Sequence, residues 1–307
     1  MWLGAEGPAA GGVTGGVKRD THDFEPIWGL GTEFDLIEGE TIHARPLALY
    51  GNVSTGYRPA TFGEGVGNPS SVSLSSDLTP AHSTSGEVGL RSTAVPWHIE
   101  DLSVFHMIVD DQIGTFGGLV RNVGTTEHHG LEWFQQTDLF ALADWMQKGE
   151  AARPAPWVKD GKVGFDREGW GRAGSLNLYS ALSFLQAEIT ASPTAEAVGR
   201  NPQFAPDFTA RYGLEYNYIE RFKSSLQATY IGPSVTSATP SDFAAGNSAV
   251  LAHHIWDWSM EFYPLQDYVS IFFGINNLFD SRYEARTRGG IDPAPERNYY
   301  GGVKIAY

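Results

Sequence analysis

The chain has 307 residues, no cysteine, a formal net charge of −15 and a sequence pI of about 4.9. Without cysteine it can form neither disulfides nor thiolate metal sites, and its acidic balance excludes the basic footprint of a nucleic-acid-binding protein. Its 36 glycines and 13% aromatic residues are typical of an all-β protein with glycine-rich turns. No stretch approaches the roughly 18 apolar residues of a transmembrane helix. A mean hydropathy of −0.25 is compatible with barrel strands, which are apolar only at every second residue.

Residues 1–24 form an irregular N-terminal segment. The first 16 residues lack the basic start and the apolar stretch of a secretory signal peptide, and are mostly glycine and alanine. We therefore expect either that the chain is a piece of a longer precursor or that it is not exported.

From residue 25 onward, apolar and polar residues alternate with the period of half-buried β-strands. The pattern is clearest around Tyr212, where even-numbered positions are apolar or aromatic and odd-numbered positions are polar or glycine. In one segment, 99–110, both faces are apolar and the facing is left open. The alternation predicts about eleven strands, at residues 25–38, 45–57, 84–94, 99–110, 121–138, 174–190, 206–219, 223–233, 250–262, 267–278 and 296–307.

Residues 139–173 interrupt this pattern. Leu139, Leu142, Trp145 and Met146 have helical spacing, which predicts a short helix. The Asp160-Gly161 pair predicts a tight hairpin. Its arms are shorter than the ~9–11 residues that a strand needs to cross a membrane.

The predicted connections alternate between long and short. Long connections occupy 58–83, 111–121, 191–205, 234–249 and 280–295, whereas the others, apart from 139–173, have only a few residues. Tight turns at one end and long loops at the other are typical of outer-membrane barrels. Strand periodicity alone is equally compatible with a soluble β-sandwich, but the loop asymmetry favours a barrel. So do the aromatic residues suited to an interface girdle, Tyr212, Tyr216, Tyr218, Trp256 and Trp258.

The C-terminal region resembles that of TonB-dependent outer-membrane receptors. The residues concerned are Asn277-Leu278-Phe279-Asp280, then Tyr283, then Pro295 to Tyr299, and finally an aromatic last residue, Tyr307. Further similar segments are Gly56-Tyr57-Arg58-Pro59, Glu87 to Arg91, and Ala205-Pro206-Asp207-Phe208. The resemblance covers about residues 45–307 and is closest to receptors of the ferric-citrate or siderophore type.

This resemblance implies a receptor or transporter that takes up a ferric chelate or a similarly scarce nutrient, without cofactor or enzymatic activity. Family members have about 22 strands and an N-terminal plug that TonB grips. Neither the plug nor its TonB-binding motif is recognisable here. We therefore expect 25–307 to be the C-terminal half of a transmembrane antiparallel β-barrel in a Gram-negative-type outer membrane. Its partners would be outer-membrane lipid, the barrel-assembly machinery, the ligand and, through the plug, TonB. A passive porin-like barrel and a soluble β-sandwich binding module are the alternatives.

The same resemblance orients the chain. Tyr307 would end on the periplasmic side, with the long loops outside and 139–173 as a periplasmic insertion. Arg58, at the start of the longest loop, could bind an anionic ferric chelate by charge-assisted hydrogen bonds, or it could cap its strand or pair with a loop carboxylate. Val303, Ile305 and Tyr307 would form the assembly signal that the barrel-assembly machinery reads by edge pairing.

A set of charged residues falls on the predicted lumen face, where we expect them to contact the plug or one another. They are Glu87, Arg91, Arg211, Glu215, Asp257, Glu261 and Lys304.

The paired histidines and aspartates do not predict a metal site or an active site. In His128-His129 and His253-His254, adjacent strand residues point to opposite faces, so each pair supplies at most one inward ligand. The same parity applies to Asp110-Asp111, which we interpret as a loop corner. The sequence has no glycine-rich phosphate loop and no nucleophile elbow, so we expect no enzyme.

Overall fold

A computed structural model describes residues 25–37, 47–59, 78–95, 97–116, 119–148, 156–159, 162–165, 174–218, 221–235, 249–265, 268–287 and 291–305. These residues contain one α-helix, α1 (Leu139–Lys148), and a 3-10 turn at Ala195–Ala197. No helix in this part of the chain is long and apolar enough to cross a membrane. The strands are β1 (Gly29–Ile37), β2 (Leu47–Arg58), β3 (Ala81–Val95), β4 (His98–Phe116), β5 (Leu119–Asp138), β6 (Pro156–Lys159), β7 (Lys162–Phe165), β8 (Ser175–Ala191), β9 (Phe208–Tyr218), β10 (Phe222–Ile231), β11 (Ser234–Val235), β12 (Ala249–Val250), β13 (His253–Leu265), β14 (Val269–Asn276), β15 (Glu284–Thr287), β16 (Ile291–Pro293) and β17 (Asn298–Ile305).

Eleven of these strands form one antiparallel sheet in the order β1-β2-β3-β4-β5-β8-β9-β10-β13-β14-β17. Each corresponds to one predicted strand, so the predicted all-β antiparallel fold with eleven strands is confirmed. The remaining strands form two-stranded pairs, β6 with β7, β11 with β12 and β15 with β16. The last two pairs lie largely within segments predicted as long loops.

The main difference in bounds concerns the β4–β5 hairpin. Residues 111–121 were predicted as a loop, but β4 continues to Phe116 and β5 begins at Leu119. The Asp110-Asp111 corner is a bulge within the strand, where the ladder shifts between Val109 and Gln112 and Asp111 has a φ of 52°. Asn122 stabilises this bulge by donating from Nδ2 to the carbonyl oxygen of Asp111 at 2.6 Å. Aspartate tolerates the left-handed region, so loop-like residues are accommodated in a long strand.

Strand register defines two faces of the sheet, because directly paired residues of antiparallel strands point the same way. One row is largely apolar and runs through Phe34, Leu49, Leu90, Leu102, Trp133, Leu182, Ala210, Tyr230 and His254. The adjacent row is polar and runs through Glu33, Tyr50, Gly89, Ser103, Glu132, Ser183 and Thr209. We call these the outer and inner faces. The sequence left open which side of β4 faces outward. The register places Leu102 on the outer face and Ser103 on the inner face.

The apolar outer face is exposed. Phe34 is 61% exposed, Val104 53% and Val303 62%. A β-sandwich would pack this face against a second sheet, and the described residues form one large sheet with its apolar side uncovered. The described residues therefore do not have the arrangement of a β-sandwich.

Most long connections lie at one end of the sheet and most short ones at the other. The exceptions are the two residues between β4 and β5, at the long-loop end, and residues 139–174 between β5 and β8, at the short-turn end. At the short-turn end, the Asp138 carboxylate caps α1 by accepting from the backbone N–H of Phe140 at 3.1 Å and of Ala141 at 3.2 Å. Trp145 packs against Trp97 with 5.8 Å between ring centroids. Met146, one of the four residues whose spacing predicted the helix, is 73% exposed.

Candidate functional site

Two belts of aromatic rings border the outer face. At the long-loop end, consecutive ring centroids lie 4.7–6.3 Å apart along Phe184, Phe208, Tyr230, His254, Trp256 and Phe279. At the short-turn end, Tyr216 lies 6.2–6.5 Å from Phe140, Tyr218 and Phe222. Phe208 and Tyr218 begin and end β9, ten residues apart. A rise of ~3.3 Å per residue and a tilt of ~40° convert this separation to ~25 Å, the height of the apolar band of a membrane barrel.

Four of the five predicted girdle residues lie in these belts. Tyr212 belongs to the belt at the long-loop end, where its hydroxyl lies 2.9 Å from His254 Nε2 and its ring meets the Trp256 ring edge-on at 5.9 Å between centroids. Tyr216 and Tyr218 belong to the belt at the short-turn end. Trp258 lies between the belts, where its indole N–H donates to Ser224 Oγ at 3.1 Å.

The inner face of β1–β4 carries a connected polar network. Tyr50 Oη donates to Asp101 Oδ1 at 2.8 Å and to Glu87 Oε1 at 3.3 Å. Arg91 Nε donates to Asp101 Oδ2 at 2.8 Å, its Nη1 lies 3.8 Å from Glu33 Oε2, and its guanidinium lies 5.0 Å from the centroid of the Tyr50 ring. The predicted lumen residues Glu87 and Arg91 are therefore joined by Asp101 and Tyr50. Sequence reasoning missed Asp101 because it left the facing of β4 open.

A second group occupies the inner face of β8–β10. The Gln227 side-chain amide is oriented so that its Oε1 faces Arg211. This oxygen accepts hydrogen bonds from Arg211 Nε and Nη2 at 3.1 Å each, and Gln227 Nε2 donates to Tyr179 Oη at 3.1 Å. Further along β9, Glu215 accepts from Asn217 Nδ2 at 2.7 Å. Arg211 and Glu215 are thus held by neutral neighbours rather than by one another.

The remaining predicted lumen residues lie apart from these groups. Asp257 accepts from the backbone N–H of Asn277 at 2.8 Å, so it supports the turn after β14. Glu261 pairs in register with Lys223 and Phe272, and Lys304 pairs with Ser270, toward the short-turn end.

Five inner-face aromatic rings lie over a glycine directly opposite on the neighbouring strand. A Cβ added at any of these glycines would lie 2.9 Å or less from an atom of the facing aromatic side chain. The rings therefore lie flat along the wall, because only glycine leaves them room. The pairs are Tyr50 with Gly89, Phe105 with Gly130, Tyr179 with Gly213, Phe272 with Gly302, and Tyr300 with Gly274.

One cavity of the inner face has a volume of about 640 Å³. Tyr50, Glu87 and Asp101 line one side, Arg211 lies on the other, and Glu132 lies between them. This volume is in the range of small-molecule sites. The sequence pattern singled out Glu87 and Arg211 but not Glu132.

The Asn-Leu-Phe-Asp motif forms a closed turn that links β14 to β17. Asn277 is buried, with Oδ1 accepting from the backbone N–H of Ser281 and Nδ2 donating to its carbonyl oxygen, both at 2.8 Å. Asp280 Oδ1 accepts from the backbone N–H of Arg297 at 2.9 Å. Asn277 and Asp280 have positive φ values of 54° and 55°, which Asn and Asp adopt more readily than most residues.

The histidine pairs split between the faces, as parity predicts. His253 stacks on Tyr283 at 4.6 Å, whereas His254 contacts Tyr212 on the outer face. Burial and the nearby Asp257 carboxylate raise the pKa of Tyr283, which lies outside the membrane-spanning strands. Within the ranges that the structure describes, no three His, Asp or Glu side chains are arranged to hold a metal ion.

Arg58 and the C-terminal strand occupy the margins of the sheet. Arg58 is exposed at the end of β2, opposite Ala81, and its role in ligand binding stays a prediction. Val303 and Ile305 are 62% and 70% exposed on the edge strand β17. Tyr307 lies outside the described residues.

A model of the family described as "TonB dependent receptor-like, beta-barrel" matches residues 12–278. The chain belongs to this family. Its sheet is accordingly the wall of a partial β-barrel, and the family comprises transport receptors rather than enzymes. This membership favours the receptor hypothesis over the porin-like alternative.

The chain spans between a third and two fifths of the length of three solved structures of similar fold. The siderophore receptor PiuA from Acinetobacter baumannii has a TM-score of 0.61 and 15% identity, over 91% of this chain and 35% of that protein. The ferric citrate transporter FecA has a TM-score of 0.60 and 17% identity, over 91% and 38%. The copper transporter OprC has a TM-score of 0.59 and 15% identity, over 90% and 39%. No curated protein sequence matches the chain.

Proposed function

We propose that this chain forms part of the wall of an outer-membrane, TonB-dependent transporter for a ferric chelate or a similarly scarce nutrient. The observation that carries the proposal is the division of one sheet into two unlike faces. The outer face exposes its apolar side chains between aromatic belts about 25 Å apart, and the inner face carries hydrogen-bonded charges. The solved structures of similar fold include a siderophore receptor, a ferric citrate transporter and a copper transporter, which supports uptake of a metal-bearing ligand.

The proposed partners follow from the same division. Outer-membrane lipid would contact the outer face, and the plug, through which TonB acts, would dock against the charges of the inner face. The edge strand β17 would be read by the barrel-assembly machinery through Val303, Ile305 and Tyr307. Because α1 and the β6–β7 hairpin connect β5 to β8 at the short-turn end, we place them on the periplasmic side of a Gram-negative-type outer membrane, and Arg58 on the outside.

Two neighbouring residues of β9 test the membrane placement. The chain has no native cysteine, so Leu214→Cys and Glu215→Cys can each carry a single fluorescent label. In lipid vesicles, a quencher attached to lipid tails should quench the label at 214 more strongly, and a water-soluble quencher the label at 215. Equal quenching at both positions would reject the assignment of the outer face to lipid.

Uptake measurements test the transport step. Disrupting the gene in its source bacterium should lower the uptake of radiolabelled iron supplied as a chelate such as ferric citrate. The lost component should be the one that a protonophore abolishes in the intact strain, since TonB-dependent uptake needs an energised inner membrane. A lost component that is insensitive to the protonophore would indicate the passive porin-like alternative. Unchanged uptake from a panel of ferric chelates would contradict the ferric-chelate assignment.

A further inference from the structure

The side of α1 that faces away from the sheet is apolar, whereas its buried side contains an aspartate. Ala141 and Asp144 are buried, and residues three apart lie on the same side of a helix. A helix turns by about 100° per residue, so the opposite side consists of Leu139, Leu142, Ala143 and Met146. All four side chains are partly or mostly exposed. A helix on the surface of a soluble protein has the reverse arrangement, with its apolar residues toward the core.

The outward side of α1 also carries no charge. The helix contains one acidic residue, the buried Asp144, and one basic residue, Lys148, at its last position. The four outward side chains could therefore enter an apolar medium without desolvating an ion. Gln147 is exposed next to Met146, but it is turned from it by about 100° around the helix axis.

The helix is continuous with the aromatic belt at the short-turn end. The Phe140 ring meets the Tyr216 ring edge-on, with 6.2 Å between centroids, and Tyr216 lies on the outer face of β9. Toward the other end of the helix, Trp145 packs against Trp97 in the turn between β3 and β4. α1 therefore lies along the rim of the sheet, beside the aromatic rings that would mark the lipid headgroups.

Additional strands or a plug would be remote from this side of α1. The helix lies against β5 and β8, and β8 is the sixth of the eleven strands in the sheet. Five strand spacings of ~4.8 Å place each edge ~24 Å from β8, so strands added next to β1 or β17 would lie far from the helix. A plug would dock on the inner face, whereas Phe140 contacts an outer-face ring.

We propose that α1 is an interfacial helix that inserts Leu139, Leu142 and Met146 into the periplasmic leaflet of the outer membrane. Such a helix lies in the plane of the interface, with its apolar side ~5–10 Å deep at the boundary between headgroups and acyl chains. The inference rests on the proposed function, since the outer face must contact lipid. It gives the segment between β5 and β8 a role as a membrane anchor at the rim of the wall.

Labels at single introduced cysteines test the depth of the helix in lipid vesicles. A fluorescent label in Met146→Cys should be quenched more by lipids brominated near the headgroup end of their tails than by lipids brominated near the tail ends, because an interfacial side chain reaches only the upper part of the tails. The label at 214, near the middle of β9, should show the opposite order. Gln147→Cys is the matched control on the same helix. Its label should be quenched less by brominated lipid and more by iodide on both sides of the membrane.

Charges placed on the apolar side test whether lipid holds the helix. In vesicles, Leu142→Glu with Met146→Glu should speed hydrogen exchange of the α1 amides about tenfold, because the burial of two large apolar side chains is lost. Gln147→Glu should leave these exchange rates unchanged. Circular dichroism verifies that each variant is folded, and the labels at 146 and 147 decide the matter if the double variant does not fold.

The outcomes separate this proposal from the proposed function. If the labels at 214 and 215 place lipid on the outer face but the label at 146 behaves like the label at 147, the interfacial helix alone is rejected. Equal exchange rates in the doubly charged variant and in Gln147→Glu would also overturn it. If the labels at 214 and 215 are quenched equally, the membrane placement and the interfacial helix are both rejected.

Discussion

Gly89 lies beneath the Tyr50 ring at the centre of the inner-face network, and Gly89→Ala tests how this wall is held together. The added Cβ would overlap the end of the ring, including Cζ and Oη. Tyr50 cannot move away without cost, because its hydroxyl donates to Asp101 at 2.8 Å and its ring lies beneath the Arg91 guanidinium. The substitution should therefore displace the ring and break both interactions.

The expected loss follows from these contacts. A hydrogen bond to a charged group contributes ~1.5–3 kcal/mol, and an exposed cation–π contact ~0.5–1 kcal/mol. Alanine is more favourable than glycine inside a strand by ~0.5–1 kcal/mol, which offsets part of this loss. We therefore expect Gly89→Ala to lower the free energy of unfolding by about 2 kcal/mol.

Urea unfolding of the chain in lipid vesicles, followed by tryptophan fluorescence, measures this loss, since the chain has nine tryptophans. Gly86→Ala is the matched control on the same strand, because its nearest new contacts would be ordinary ones at 3.9 Å. In a Tyr50→Ala background, Gly89→Ala should cost nothing. Equal losses at Gly86 and Gly89, or an undiminished loss without the Tyr50 ring, would refute the reasoning.

Three further substitutions test other parts of the chain. Asn277→Ala should lower the free energy of unfolding by ~2–3 kcal/mol, because a buried side chain loses bonds to two backbone groups, and should speed limited proteolysis between residues 280 and 297. Asn276→Ala, at an exposed neighbour, should do neither, and a similar result for both would contradict the role of Asn277. Asp138→Ala should destabilise α1 by ~1 kcal/mol, seen as faster hydrogen exchange of its amides, whereas Asp138→Asn should retain most of the cap. Leu214→Arg should cost ~2–4 kcal/mol in vesicles, and Glu215→Arg far less; similar urea midpoints for the two variants would argue against a lipid-facing Leu214.

Alternation of apolar and polar residues predicts this structure better than turn-forming residues do. Alternation over 206–219 predicted β9 to within two residues, because side chains of any extended strand alternate between its faces. Glycines and aspartates predicted the loop at 111–121 wrongly, because the same residues also suit a bulge inside a long strand. The helix at 139–148 followed from its spacing, but the exposure of Met146 depends on what α1 packs against.

The sequence alone was sufficient for the number of strands, their alternation and the family, since these depend on local period, turn length and short motifs. It also placed Glu87 and Arg211 on the same inner face. Only the tertiary structure showed which residues of different strands meet: Tyr50 over Gly89, and Asp101 with Arg91. The physical reason is register. A shift of two residues between strands preserves every face, so the pattern along one strand is unchanged, while every partner across the sheet is different.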